Sequence, residues 1–122
     1  MGENTVTVND SILDSIKHLL GITQDNTVFD PDLIALINGT LADLISHGVG
    51  PQNGYHITSN QNVWSEFIQG DNAAKKENIK TYVFIKVKLV FDSQQMNSKM
   101  IEVFESRAKE IAYRLYTEEG QY

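Results

Sequence analysis

The stretch from Ile79 to Phe91, IKTYVFIKVKLVF, constrains the fold of this chain more than any other. Its β-branched and aromatic content, with Val83, Ile85, Val87, Leu89 and Phe91 in alternation, reads as a strand when taken alone. A strand needs a neighbour, because its backbone N–H and C=O groups must be paired. The rest of the chain supplies four helical signals and no second strand of this kind. The segment is therefore either a strand without a partner or a helix apolar nearly all round, and such a helix is stable only when buried at the centre of a bundle.

The first helical signal has Asn9 or Asp10 as cap and Ser11 and Asp14 in capping-box spacing. A stripe of Ile12, Leu13, Ile16, Leu19 and Leu20 follows, with Gly21 as the stop. A second helix opens at Asp30-Pro31, where aspartate caps and proline takes the position whose N–H would be orphaned. It carries Leu33, Ile34, Ile37, Leu41, Leu44 and Ile45 before Gly48 ends it. Gly39 in its middle costs ~1 kcal/mol relative to Ala, which predicts another backbone packed closely there. Val63, Trp64, Phe67 and Ile68 fit one face of a short helix capped near Gln61 or Asn62 and ended by Gly70, with Trp64 in the core. Asn97 or Ser98 starts a last helix with Ile101, Phe104, Ala108, Ile111 and Leu115 at helical spacing, running towards Tyr116. The length of 122 residues, 41% of them hydrophobic, describes one domain over residues 1–122. Residues 1–8 and 117–122 are expected to be flexible tails.

Charge is unevenly spread. Residues 1–61 hold seven carboxylates (Glu3, Asp10, Asp14, Asp25, Asp30, Asp32 and Asp43) against one lysine, and so carry the whole net charge of −6. Within the balanced second half, Lys75, Lys76, Lys80, Lys86 and Lys88 stand against Glu77 alone. The asymmetry suggests complementary surfaces, with Lys75, Lys76 and Lys80 as one candidate patch and Asp25, Asp30 and Asp32 as the other; two solvated faces are the plainer alternative. A net charge of −6 repels nucleic acid and anionic lipid, so tight duplex binding is not expected.

Catalytic signals are sparse. The chain has no cysteine, which removes disulfides, thiolate metal sites and a cysteine nucleophile. His18, His47 and His56 show no ligand spacing, so no metal site is expected. His47 lies where an imidazole meets the negative end of a helix dipole, and a capping role is expected of it. No serine sits in a nucleophile elbow, and Asp30 and Asp32 read as helix-start carboxylates. No catalytic residue, cofactor site or metal site is assigned. The start MGENTVTV lacks the basic and apolar regions of a secretory leader, and no apolar run reaches membrane-spanning length, so a soluble chain not exported by that route is expected. From Gly48 to Gln61, GVGPQNGYHITSNQ forms a long glycine-rich loop or small hairpin. It is a candidate contact surface that orders against a neighbour, with Tyr55 and Ile57 as apolar anchors.

Five segments in order, ILDSIKHLLGI, FDPDLIALINGTLADLISHGVGP from Phe29 to Pro51, the Trp64-to-Phe67 helix, KTYVFIKVKLVFD from Lys80 to Asp92 and IEVFESRAKEIAYRL from Ile101 to Leu115, together resemble the head-to-tail connector, or adaptor, family of long-tailed bacteriophages. The chain departs from the family at Ser93-Gln94-Gln95, where prolines are frequent. The resemblance implies an all-α, multihelical bundle with a short buried central helix, and on that basis Ile79 to Val90 is assigned as helix against its strand propensity. It also implies a non-enzymatic virion protein, made in the bacterial host cytoplasm and placed at the virion neck. Copies are expected to form a ring, a dodecamer, between the portal protein and a head-closure or tail protein, with DNA passing through. The alternative is a small helical ligand-binding or regulatory domain in which Trp64 and Tyr82 line a pocket.

Overall fold

A computed structural model of the chain describes residues 6–118. The described residues form five α-helices: α1 (Ile12–Leu20), α2 (Asp30–Ser46), α3 (Trp64–Phe67), α4 (Ala73–Phe91) and α5 (Ser98–Glu118), with a single 3₁₀ turn at Ser93–Gln95. No β-strand occurs among them; one antiparallel bridge joins Ser11 to Val63. The fold is an all-α multihelical bundle.

The Ile79–Phe91 segment is helical, and its surroundings explain why. α4 touches α1, α2 and α5, and Ile79, Tyr82, Val83, Ile85 and Val87 are all buried against them. Helix propensity disfavours valine or isoleucine by no more than ~0.7 kcal/mol per residue. Full burial of such a side chain returns ~1.5–3 kcal/mol, so packing on three sides outweighs the intrinsic preference. The helix also pairs its backbone within itself and needs no partner strand. It is not short: it begins at Ala73, six residues before Ile79, where the Asn72 side chain accepts the N–H of Lys75 at 3.0 Å. This added stretch, AAKKEN, has no apolar stripe, so its helicity comes from the cap and from good helix formers, alanine, lysine and glutamate.

α1 is capped by Ser11, whose Oγ accepts the Asp14 N–H at 3.1 Å, and not by Asn9 or Asp10. The carbonyls of Asp10 and Asn62 instead accept from Trp64 and Ile12, each at 3.0 Å, tying the starts of α1 and α3 together. Gly21 ends α1 with φ 82°, a left-handed conformation that glycine adopts without strain. Asp30 lies inside the first turn of α2 and makes no capping bond, since its carboxylate is turned towards Lys17. Gly39 is exposed, and a Cβ placed there meets nothing within 4 Å, so no backbone packs against it as the sequence reading expected. α5 is capped by Asn97, which accepts the Met100 N–H at 2.8 Å, and buries Ala108, Ile111 and Leu115.

Of the expected tails, residues 1–5 and 119–122 lie outside the described residues. Thr7 accepts the N–H groups of Asp10 and Ser11 in a turn leading into α1, and Thr117 and Glu118 continue α5.

Candidate assembly surfaces

α4 runs alongside α1 and antiparallel to α5, so its two ends carry different chemistry. At its N-terminal end, Lys80 Nζ lies 3.5 Å from the Asn9 carbonyl and 6.0 Å from the centre of the Trp64 ring. A cavity of about 270 Å³ opens there, lined by Asp10, Trp64, Ser65, Ile68, Lys76 and Lys80. The five lysines that sum to a basic run in the sequence do not form one patch. Lys76 and Lys80 line this cavity, with the carboxylates of Asp10 and Glu77 close by, while Lys75 borders a separate recess beside Gly48, Gly50 and Phe67. Lys86 reaches over the Tyr82 ring into the α4–α5 groove, shared with Glu105 and Lys109. Lys88 pairs with Asp92 at 3.0 Å and lies 5.9 Å from the Phe84 ring.

The opposite end is formed by the α1–α2 connection. Phe29 meets Phe91 edge-on, with ring centres 5.2 Å apart, and this contact seats the connection on the C-terminal end of α4. Val28 beside it is 77% exposed, and Asp25 and Asp32 are exposed on either side. Asp30, grouped with them in the sequence reading, is used within the subunit: its Oδ1 lies 2.9 Å from Lys17 Nζ, an ion pair without the alignment of a hydrogen bond. Lys17 is only 1% exposed and donates to the Gln24 carbonyl at 3.0 Å. Buried Asp14 accepts from Gln24 Nε2 and Asn60 Nδ2, both at 3.3 Å. This network pins the connection to α1. Its only trace in the sequence is the placement of Asp14 and Lys17 one turn apart beside an apolar stripe.

The Gly48–Gln61 loop is anchored inward. Asn38 on α2 binds Ile57 as a neighbouring strand would: Ile57 N–H donates to its Oδ1 at 2.7 Å, and its Nδ2 donates to the Ile57 carbonyl at 2.9 Å. Ile57 is a core side chain, so it does not stand free for a neighbour, while Tyr55 is half-buried. Tyr55 Oη donates to Glu66 Oε1 at 2.6 Å. Burial, then the bond to Glu66, pushes the Tyr55 phenol well above its ordinary range, and the same bond holds the Glu66 carboxyl below its own. Gly50, at φ 103°, leaves room for the Phe67 ring, which a Cβ would approach to 2.6 Å. The loop's exposed residues include Gln52, Asn53 and His56.

The three histidines stand on α1, at the end of α2 and in this loop. His47 stacks on Tyr116, with ring centres 4.2 Å apart, and its Nδ1 lies 3.0 Å from the Asp43 carbonyl, a hydrogen bond for the Nδ1–H tautomer. It thus caps the last turn of α2, as expected. Tyr82 Oη donates to Asp43 Oδ2 at 3.3 Å, and burial first, then Tyr116 and Asp43, raises its phenol far above the ordinary range. Trp64 and Tyr82 do not share a pocket. The Trp64 indole N–H donates to Ser15 Oγ at 2.8 Å within the core, while Tyr82 borders the α4–α5 groove. Among the described residues no three His, Asp or Glu side chains are placed to hold a metal, and no helix is long and apolar enough to cross a membrane.

No curated protein and no solved structure matches the chain. A family model described as phage connector protein matches residues 12–121, from the first residue of α1 to beyond the last described turn of α5. With nearly its whole length matched and its helices all inside the matched span, the chain belongs to the phage connector protein family.

Proposed function

We propose that the chain is a neck subunit of a tailed phage. Its copies form a ring, expected to be a dodecamer, seated on the portal protein and followed by a head-closure or tail protein, and packaged DNA passes through the hole. The observation that carries this reading is the connector-family match over residues 12–121. The net charge of −6 supports the conduit role, since a surface that repels phosphates lets DNA slide instead of holding it. The subunit acts as a structural part without catalysis of its own, and it resides in the virion.

The experiment is to make particles in host cells that lack this chain. Filled or emptied heads and complete tails are expected to accumulate unjoined, with joining restored when the purified chain is added. Normal, infectious, joined particles in its absence contradict the reading.

A further inference from the structure

We propose that one subunit docks head to tail on the next, with the Val28 tip of the α1–α2 connection entering the Trp64 cavity of a second copy. The proposal rests on the ring reading above and specifies the contact that builds it.

The first support is that the two features lie at opposite ends of one rigid helix. The cavity is held at the start of α4 by the Lys80 contact to Asn9 and the Trp64 bond to Asp10. The tip is held at the end of α4 by the Phe29–Phe91 contact. Lys76 and Phe91 lie fifteen residues apart on α4, so they are separated by ~22 Å at 1.5 Å per residue. That is nearly three screening lengths of ~8 Å in physiological salt, so the charges at the two ends cannot satisfy each other within one subunit.

The second support is complementarity. Val28 is 77% exposed and Val90 60% exposed, and the Phe29–Phe91 contact brings both to the same end, with the exposed carboxylates of Asp25 and Asp32 before and after Val28 in the chain. Single exposed valines are ordinary; an apolar tip between acids is a shape that another surface can read. The cavity is walled by the edges of Trp64 and Ile68, each 4% exposed, and carries the cations Lys76 and Lys80 beside the Asp10 carboxylate. Asp25, Asp32 and Lys76 have no ionic partner among the described residues. Asp10 and Glu77 stand at the same end as Lys76 and reduce its long-range field, so the contact depends on close pairing and on the seating of Val28. Asp30 takes no part, because Lys17 holds it. Tip and cavity are different patches, so the contact is heterologous, the kind that closes into a ring when its rotation allows and excludes an isolated two-fold dimer.

The chain has no cysteine, which makes the test clean. Two variants, Val28→Cys and Ser65→Cys, both at exposed positions, are co-assembled into particles and treated with a short thiol-to-thiol cross-linker. A cross-linked dimer is expected in the mixture and in neither variant alone, and a chain carrying both substitutions is expected to give a ladder of covalent oligomers. Copies that sediment together without the mixed cross-link, or Val28→Cys chains that cross-link to each other, overturn the contact and leave the ring reading standing. Chains that do not associate in particles or in solution overturn both. As a second measurement, Lys76→Glu is expected to lower incorporation at least tenfold, with Asp32→Lys restoring it; undiminished incorporation of Lys76→Glu overturns the ionic part.

Discussion

α4 and α5 lie against each other, yet they became helices for different reasons. α5 is amphipathic: Ala108, Ile111 and Leu115 face inward, while Val103 and most of its charged residues face water, so its periodicity alone specifies a helix. α4 has strand-like residues over most of its length and is helical because α1, α2 and α5 surround it. Local pattern decides a segment with one buried face. Where nearly every face is buried, the pattern is lost and only the neighbours decide.

Substitutions can break this contrast. Val87→Asp puts a carboxylate at a fully buried position of α4 and is expected to abolish cooperative folding, seen as loss of a urea transition by circular dichroism. Val103→Asp, on the 54%-exposed face of α5, is expected to change stability by no more than ~0.5 kcal/mol. Equal effects would show that α4 is not the wrapped element. Lys17→Ala strips the ion pair from Asp30 and leaves the Gln24 carbonyl without its donor, so a loss of ~3 kcal/mol in urea titration is expected.

Two glycines give smaller effects of opposite sign. Gly50→Ala forces a Cβ against Phe67 at a positive φ, and a loss of ~1–3 kcal/mol is expected from overpacking. Gly39→Ala enters open space in mid-helix and is expected to raise stability by up to ~1 kcal/mol. The last effect is a loss of stability seen only in alkali. Tyr55, Tyr82 and Tyr116 have phenols raised in the folded state, so the unfolded chain loses these protons first. Their contribution is complete below the ordinary tyrosine value of about 10 and is lost as pH climbs through the higher folded values. Tyrosinate absorbance from them should rise together with unfolding in alkali, and a rise that precedes unfolding would contradict the burial of Tyr82.

Periodicity and stop signals made α1, α2 and α5 readable in advance, because each has one apolar stripe and a glycine or a cap at an end. Resemblance and the missing partner strand point to a helical α4, while its start from Ala73 has no apolar stripe to mark it. Candidate surfaces were legible as composition but not as placement. Counting charge from Lys75 to Lys88 treats the run as one patch, whereas a helix turns each successive residue by about 100°, which sends Lys86 and Lys88 to other faces. Asp30 and Ile57 looked available because neither Lys17 nor Asn38 is close to its partner in sequence. Such pairings are tertiary, and one chain without its fold does not display them.

The proposed place of this chain at the joint between head and tail is tested by an averaged image of the particle vertex. A closed ring of identical subunits around the DNA path is expected, with α4 lying between successive contacts and the Val28 end of each copy against the Trp64 end of the next. A vertex that lacks this chain, or holds it as isolated copies with no shared contact, would contradict that role.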